Sequence, residues 1–320
     1  MINISDNLKE KLKQIPMKPG IYKMIDSKGN VIYVGKSKCL NKRVRTYFAD
    51  NPKWEKVTKM AHLIDDIEYI VTDTHLEARL LECSLIKQIK PIFNSQMKHD
   101  KGYVYLKIEN YNRYRALSVV DSKEVNSYGP FRRKSYLNEI INSFKNLYPI
   151  IRTDESYSFE YRLFPVSMNT DEFNKNRSSL EEILSESTKA DLFIKELAEK
   201  MKKEALVNSF EMALMYKDII ENINYLKISI NKYKELANSN VLLTIPYEGG
   251  FKLFYIVGGK IIKIGKYKKI TQSIIDLFLR ADLTSPDISF DMDEKSFLDF
   301  KDIIYSEIVS LPESIVSSEE

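Results

Sequence analysis

The stretch "GIYKMIDSKGNVIYVGKS" (residues 20–37) has the pattern of a β-hairpin. Two short strand-like runs flank the segment "DSKGN", whose Asp, Ser, Gly and Asn favour a tight turn. We therefore predict strands over residues 19–25 and 31–35. Each run contains a tyrosine, Tyr22 and Tyr33. The pattern leaves open whether these are ordinary sheet residues or chemical groups held in place by the hairpin.

Three further elements complete a small α/β domain in the first hundred residues. The residue pattern predicts a short helix over 40–48, a third strand over 67–72 and a longer helix over 74–90. The longer helix has clear boundaries, because Thr74 and Glu77 have the spacing of a capping box and Pro91 cannot continue the helix.

The composition of the chain favours a globular protein without a membrane span. Of its 320 residues, 43% are hydrophobic and 29% are charged. No apolar run reaches the roughly 20 residues that a membrane helix needs, and the first residues lack the apolar core of a signal peptide. Two cysteines cannot build a disulfide framework, and the three histidines lack the spacing of zinc ligands. We expect a cytoplasmic monomer with no membrane partner and no zinc site.

Positive charge is concentrated near the start of the chain. Residues 1–100 contain 18 Lys and Arg against 12 Asp and Glu, whereas the remainder contains 31 against 33. An excess of this kind suits a polyanionic partner such as DNA. A solvated basic surface would give the same count, so the charge alone does not decide between the two interpretations.

A cluster of cations follows the second strand of the predicted hairpin. Gly35 would let a backbone or a phosphate approach closely, and Tyr47 lies four residues after Arg43, on the same face of a helix. No acidic residue interrupts the cationic stretch, which contains Lys36, Lys38, Lys42, Arg43 and Arg45. Lys36 and Arg43 could converge on one phosphate. The alternative is a lysine-rich surface helix beside a hairpin.

Glu82 is a carboxylate in or beside an apolar stripe of the 74–90 helix. The residues that we expect to face the sheet are Ala78, Leu85, Ile86 and Ile89. A carboxylate in that position must be paired, reach solvent or bind a cation. Two interpretations therefore stay open: a structural ion pair with Arg43 or Lys36, or a single Mg²⁺ held by one carboxylate, water and a substrate phosphate.

Two longer segments together resemble a known family. "PGIYKMIDSKGNVIYVGKSKCLNKRVRTYF" and "IEYIVTDTHLEARLLECSLIKQIKPIFN" are similar to the GIY-YIG nuclease domain of UvrC and of its shorter relative Cho. The resemblance implies a metal-dependent DNA endonuclease that nicks one strand near lesions in nucleotide excision repair. It also implies one Mg²⁺ or Mn²⁺ ion and DNA as the substrate. The alternatives are a GIY-YIG nuclease with a mobile-element or defence role and a non-catalytic DNA-binding relative.

The resemblance also implies roles for individual residues. Tyr22 or Tyr33 would be the general base, with Lys36 lowering its pKa, and the sequence does not decide between the two tyrosines. Glu82 would bind the metal ion and Arg43 would clamp the scissile phosphate. The residues implied to support the site or contact DNA are Lys38, Lys42, Arg45, Tyr47 and Asn94.

Beyond the first domain the resemblance implies a mixed architecture. The predicted fold class is α+β, with a three-stranded antiparallel sheet flanked by helices in the first domain. The predicted segments are a nuclease domain over 1–100, a middle region over 101–190, a helical hairpin over 191–235 and a small α/β region over 236–320. Strand-like stretches are predicted over 103–130 and 241–267, helices over 134–147 and 190–235, and a mostly helical end to the chain. Residues 150–190 have weak periodicity and are predicted to be a linker or a poorly packed segment.

Two features of the later segments bear on cofactors and partners. "FEMALMYKDIIENI" (210–223) resembles the UVR motif by which UvrC contacts UvrB, and Phe210 would be an aromatic anchor for that partner. The alternative is that this face packs on residues 241–267 of the same chain. "IIRTDESYSFEYRLF" (150–164) contains no cysteine where UvrC has a cysteine-rich stretch. No iron–sulfur cluster is therefore expected.

Overall fold

The computed structural model describes residues 5–49, 55–98, 102–280, 294–312 and 315–319. It divides into two compact units. The first comprises Met1–Asp100 and Leu236–Glu320, and the second comprises Lys101–Glu235. The first unit therefore joins the two ends of the chain.

The predicted three-stranded antiparallel sheet is confirmed at the start of the first unit. Its strands are β1 (Gly20–Ile25), β2 (Val31–Ser37) and β3 (Asp66–Val71), in the order β2-β1-β3. Tyr22 of β1 is paired with Gly35 of β2, and Met24 is paired with Tyr33. The two tyrosines are therefore diagonal neighbours on one face of the sheet. Three helices accompany the sheet: α1 (Asp6–Gln14), α2 (Leu40–Arg45) and α3 (Glu55–Ala61).

The long helix α4 (His75–Ile89) begins at the predicted capping box. The Thr74 hydroxyl accepts a hydrogen bond from the Glu77 N–H, and the Glu77 carboxylate accepts one from the Thr74 N–H. The buried residues of α4 are Leu76, Ala78, Leu80, Cys83 and Ile86. The prediction that Ile89 faces the sheet is wrong, because this side chain is 36% exposed. The apolar residues of α4 do not all face the first sheet. Leu76, Leu80 and Cys83 instead belong to a core formed with residues near the other end of the chain.

A second sheet lies in the C-terminal part of the first unit. It contains β9 (Asn240–Tyr247), β10 (Gly250–Val257), β11 (Lys260–Tyr267) and β12 (Val316–Glu319), in the order β11-β10-β9-β12. Two helices, α9 (Gln272–Arg280) and α10 (Glu294–Ser310), belong to the same part. The predicted strands over 241–267 are confirmed. The helical prediction for the end of the chain is wrong at β12, a short polar strand whose pairing with β9 supplies a backbone ladder that local pattern does not reveal. Residues 281–293 lie outside the described residues.

In the described residues, the second unit contains a three-stranded sheet, a two-stranded hairpin and four helices. Its sheet contains β4 (Val104–Ile108), β5 (Leu117–Val120) and β6 (Ser127–Phe131), in the order β5-β4-β6. The further elements are α5 (Lys134–Lys145), the two-stranded hairpin of β7 (Ile151–Arg152) and β8 (Tyr157–Ser158), α6 (Thr170–Ser185), α7 (Ser187–Leu206) and α8 (Phe210–Asn238). The last residues of α8, from Leu236, belong to the first unit.

Helix α6 corrects the prediction of a linker over residues 150–190. The helix is capped by Asn169 and packs Phe173 and Leu180 into the core. Its apolar period is hidden because two core positions are polar: Asn176 and Ser179 are both fully buried. The Ile150 N–H donates to the Asn176 side chain at 2.7 Å, and the Arg152 N–H donates to the Ser179 hydroxyl at 2.9 Å. These side chains satisfy backbone N–H groups at and beside β7, which partly compensates their burial, whereas the Asn176 amide nitrogen is buried without a partner among the described residues.

In the described ranges, none of the helices combines the length and the apolar character that crossing a bilayer requires.

Candidate active site

Three tyrosines form a cluster on the hairpin face of the first sheet. The ring centroids of Tyr22, Tyr33 and Tyr47 are 5.9–6.1 Å apart. The hydroxyls of Tyr22 and Tyr47 share a hydrogen bond of 2.7 Å, and Tyr22 is only 1% exposed. The Arg43 guanidinium lies 5.1 Å from the centre of the Tyr47 ring. Tyr47 follows α2 in a tight turn rather than inside the helix, yet it keeps the predicted contact with Arg43.

Two glycines make room for this cluster. A Cβ on Gly35 would collide with the Tyr22 ring and would lie 2.9 Å from Tyr33 Cε1. A Cβ on Gly20 would collide with the Ile70 carbonyl oxygen on the neighbouring strand. Both glycines are therefore required by close approach: the Tyr22 ring lies against Gly35, and the backbone of β3 lies against Gly20.

We expect Gly35→Ala to lower the free energy of unfolding by about 1–3 kcal/mol, because an added methyl group must displace the Tyr22 ring from a packed core. Urea unfolding followed by circular dichroism would measure the change. Gly102→Ala is the matched control, since a Cβ at Gly102 meets no atom within 4 Å. Equal stability of the two variants would contradict the packing explanation.

Burial raises the pKa of both hairpin tyrosines. For Tyr22 the largest cause is burial, followed by the neighbouring hydroxyls of Tyr47 and Tyr33. For Tyr33 burial is again the largest cause, and Tyr47 and Glu82 add to it. The cation that lowers the pKa of both tyrosines is Arg43, whereas we predicted this role for Lys36.

Glu82 lies beside the second strand as a half-buried carboxylate. It accepts a hydrogen bond of 3.2 Å from the backbone N–H of Lys36. Burial raises its pKa, and the positive charges of Lys36, Arg79 and Arg43 only partly oppose that increase. Within the described ranges the Glu82 carboxylate forms no ion pair. The structure therefore does not contain the ion pair with Arg43 or Lys36 that was one of the two interpretations.

Asn94 fixes the second strand from the loop after α4. Its side-chain oxygen accepts a 2.9 Å hydrogen bond from the Val34 N–H, and its side-chain amide donates a 2.8 Å hydrogen bond to the Val34 carbonyl oxygen. This pair of bonds resembles one step of a sheet ladder and holds the backbone between Tyr33 and Gly35. The role of Asn94 in supporting an active site stays a prediction.

The remaining predicted residues differ in how far they are exposed to solvent. Lys36 is half-buried, and burial lowers its pKa. Arg43 reaches solvent although it contacts the tyrosines. Three predicted DNA contacts lie on the exposed surface around α2: Lys38, Lys42 and Arg45. Phe210 belongs to the second unit and is 65% exposed.

Sequence reasoning missed two residues of α4, the helix that carries Glu82. His75 is the first residue of α4, and burial together with the charge of Lys36 lowers its pKa to about 4, so that it is neutral near pH 7. Arg79 precedes Glu82 by three residues and therefore lies beside it on the helix surface. The sequence itself shows the three-residue spacing between Arg79 and Glu82, whereas the half-burial of His75 can be seen only in the structure.

The donor chemistry around Glu82 suits a divalent cation bound mainly by water and substrate. Across the described residues there is no group of three or more His, Cys, Asp or Glu side chains that could enclose a metal ion. Mg²⁺ commonly retains several waters and binds through one or two carboxylates plus phosphate oxygens. The Glu82 carboxylate fits this pattern, because only one of its oxygens accepts a hydrogen bond among the described residues and the exposed Arg43 could bind the phosphate.

Residues 18–95 match the family described as the UvrC-like GIY-YIG domain. The UvrABC system protein C of Alkaliphilus oremlandii is 32% identical over 281 residues, which cover 80% of this chain and 45% of that protein. The UvrABC system protein C of Clostridioides difficile is 30% identical over 94% of this chain and 53% of its own length. The chain thus spans about half the length of the curated relatives that it matches.

A similar solved structure is the GIY-YIG N-terminal endonuclease domain of UvrC from Thermotoga maritima, bound to its catalytic divalent cation, magnesium. It is 36% identical and its whole length is covered by 29% of this chain, with a TM-score of 0.27.

Proposed function

We propose that the chain is a metal-dependent DNA endonuclease that nicks one strand near lesions in nucleotide excision repair, because residues 18–95 match the UvrC-like GIY-YIG domain family and the chain is similar to UvrABC system protein C. The observation that carries the proposal is the convergence of Tyr33, Arg43 and Glu82. The Tyr33 ring centroid lies 6.1 Å from that of Tyr47, and the Arg43 guanidinium lies 5.1 Å from the centre of the same Tyr47 ring. Glu82 accepts the N–H of Lys36, three residues after Tyr33 on β2, so the three groups lie around one strand.

Hydrolysis of a phosphodiester requires activation of a water molecule, stabilisation of charge on the phosphate and assistance to the leaving oxygen. Tyr33 is the better candidate for the general base. It is half-buried, whereas the Tyr22 hydroxyl is enclosed and hydrogen-bonded to Tyr47. Once ionised to the phenolate, Tyr33 would take a proton from the attacking water and return to the neutral phenol, and Tyr22 would orient the cluster.

Arg43 would have two roles in this mechanism. Its planar guanidinium can donate two parallel hydrogen bonds to the phosphate oxygens. Its charge also lowers the pKa of Tyr33, which burial has raised, and so increases the fraction of Tyr33 that is ionised and able to accept a proton.

Glu82 would hold one divalent cation through its carboxylate, with Mg²⁺ or Mn²⁺ as the ion. When bound, such an ion polarises the phosphate and stabilises the leaving oxygen. The half-buried position strengthens the attraction between carboxylate and cation, since screening by water is reduced. Lys38, Lys42 and Arg45, which are exposed around α2, would contact the DNA backbone on either side of the scissile phosphate.

A nicking assay on supercoiled plasmid tests the enzymatic part of this proposal. We expect open-circular product with Mg²⁺ or Mn²⁺ and none with a chelator. A lesion-bearing duplex incubated with UvrA and UvrB then tests the repair role. Efficient nicking without any dependence on the lesion or on UvrB would favour a mobile-element or defence nuclease. Binding of DNA without cleavage would favour a non-catalytic relative.

The proposed partner surface is an exposed apolar patch at the turn between α7 and α8. Leu206, Phe210 and Leu214 are 83%, 65% and 57% exposed. Met212 and Met215 are partly buried against the core of the second unit, so they do not add to this patch. Exposure of three large apolar side chains in one patch is typical of a protein interaction site. We propose that the patch docks UvrB.

We expect Phe210→Ala to weaken UvrB-dependent incision by about tenfold or more, because the loss of a central aromatic anchor costs about 2 kcal/mol of binding. Nicking of naked plasmid and the melting temperature should stay near the wild-type values. Ile228→Ala is the control, since Ile228 is equally exposed on the same helix. A large drop in melting temperature with unchanged incision would place Phe210 in the core and remove the partner proposal.

We also expect the purified protein to contain no iron–sulfur cluster. The segment 150–164 has no cysteine and packs through aromatic rings, with the Tyr157 and Phe159 ring centroids 5.5 and 5.0 Å from that of Phe193. Elemental analysis should find no iron, and the visible spectrum should show no cluster band. One cluster's equivalent of iron per chain would overturn this expectation.

A further inference from the structure

Helix α10 packs against the helix that carries Glu82. Leu76, Leu80 and Cys83 of α4 share a core with the second sheet and with Phe300, Ile303 and Ile304 of α10. Ion pairs surround this core: Lys87 of α4 lies 2.6 Å from the Asp299 carboxylate, and Lys252 of β10 lies 2.6 Å from that of Asp73. The two ends of the chain are therefore joined at α4.

One ion pair at this contact lies a single helical turn from the proposed metal ligand. The Arg79 guanidinium donates a hydrogen bond of 2.6 Å to the Glu307 carboxylate and a second, short hydrogen bond to the Ser306 hydroxyl. The Arg79 and Glu307 side chains are only 17% and 11% exposed. Both donor arms of the Arg79 fork are thus turned toward α10.

Arg79 has a second anion within reach. Glu82 follows it by three residues, which is the spacing at which opposite charges pair on a helix. The positive charge of Arg79 already acts on Glu82, since it lowers the pKa of that carboxyl against the effect of burial. In the described residues the Glu82 carboxylate accepts only the Lys36 backbone N–H. It would therefore accept the arginine if Arg79 lost its partners on α10.

An arginine bound to Glu82 would compete with a divalent cation for the same oxygens. We propose that Glu307, together with Ser306, holds the Arg79 guanidinium away from Glu82 and so keeps the Glu82 carboxylate available to the metal ion. Glu307 is on this view a positioning residue, and α10 contributes to metal binding without touching the metal. The inference rests on the proposed function, because it requires Glu82 to be the metal ligand.

Binding of Mn²⁺ to the 320-residue chain, followed by electron paramagnetic resonance, tests the inference without relying on catalysis. We expect Glu307→Gln to weaken Mn²⁺ binding by about tenfold. If the released Arg79 is paired with Glu82 in about nine-tenths of the molecules, only about one-tenth can bind the ion, and the apparent affinity falls by the same factor. Arg79→Gln alone should bind Mn²⁺ at least as tightly as the wild type. The double variant, Arg79→Gln with Glu307→Gln, should recover the wild-type affinity, because no arginine remains to compete.

Steady-state nicking provides a second measurement. Glu307→Gln should raise the Mg²⁺ concentration that gives half-maximal rate, while the rate at saturating Mg²⁺ stays near that of the wild type. Asp299→Asn is the matched control, since it weakens a buried ion pair between the same two helices. It should lower the melting temperature without changing Mn²⁺ affinity.

The outcomes separate this inference from the proposed function. Mn²⁺ binding that depends on Glu82 but is unchanged in Glu307→Gln would overturn the inference alone. A double variant as weak as Glu307→Gln would also overturn it, because the defect would then be structural. If the wild type failed to bind Mn²⁺, or if Glu82→Gln bound it normally, the proposed metal site and this inference would both be wrong.

Discussion

Glu82→Gln is expected to reduce metal-dependent nicking by on the order of a thousandfold, because it removes the single carboxylate that would hold the cation and its stabilisation of the phosphate. Glutamine keeps the shape of the side chain and an oxygen that can accept the 3.2 Å hydrogen bond from the Lys36 N–H. The fold and the affinity for DNA should therefore be preserved. Plasmid nicking at saturating Mg²⁺ and fluorescence anisotropy with labelled duplex would measure the two properties.

The same variant has a predictable effect on stability. Burial raises the pKa of the Glu82 carboxyl in the folded chain above that in the unfolded chain. A carboxyl with a raised folded-state pKa destabilises the fold progressively as the pH rises through the interval between the two values. Glutamine has no such charge, so at neutral pH the melting temperature of Glu82→Gln should equal or exceed that of the wild type.

Glu68→Gln is the control for both measurements, because Glu68 is an exposed carboxylate on β3 of the same domain. It should leave nicking and melting temperature almost unchanged. Wild-type nicking by Glu82→Gln in Mg²⁺ would remove Glu82 from the site. A melting temperature far below that of the wild type would instead assign Glu82 a structural role.

Arg43→Ala is expected to reduce nicking near pH 7 by on the order of a hundredfold, because it removes a fixed donor to the phosphate. It should also change the pH dependence. The Arg43 charge lowers the pKa of Tyr33, so its loss raises that pKa and the rise of activity with pH should move to higher pH. Initial nicking rates measured across the pH range would show both effects.

Two variants make this second experiment specific. Arg43→Lys retains the charge and loses the planar fork, so we expect a lower rate with a pH profile close to that of the wild type. Lys28→Ala removes a cation from the hairpin turn and should change neither property. An unchanged pH profile in Arg43→Ala would show that the tyrosine does not depend on this arginine for its ionisation.

Local features of the chain determined the first sheet and the long helix. The alternation around Tyr22 and Tyr33 and the turn residues between them predict the hairpin, because a strand exposes alternate residues on opposite faces. Thr74 and Glu77 predict where α4 begins, because their hydrogen bonds connect residues only three positions apart. The resemblance of two segments to the UvrC family then predicts which of these residues belong to a site.

Tertiary structure alone decided the contacts between residues distant in the sequence. The helix over Thr170–Ser185 was missed because Asn176 and Ser179 occupy core positions, where their side-chain oxygens accept hydrogen bonds from backbone N–H groups near residue 150. The hydrogen bond between the Tyr22 and Tyr47 hydroxyls and the pairing of Arg79 with Glu307 are of the same kind. Such contacts depend on how whole elements pack. A local sequence pattern around Arg79 contains no information about Glu307, which lies 228 residues further along the chain.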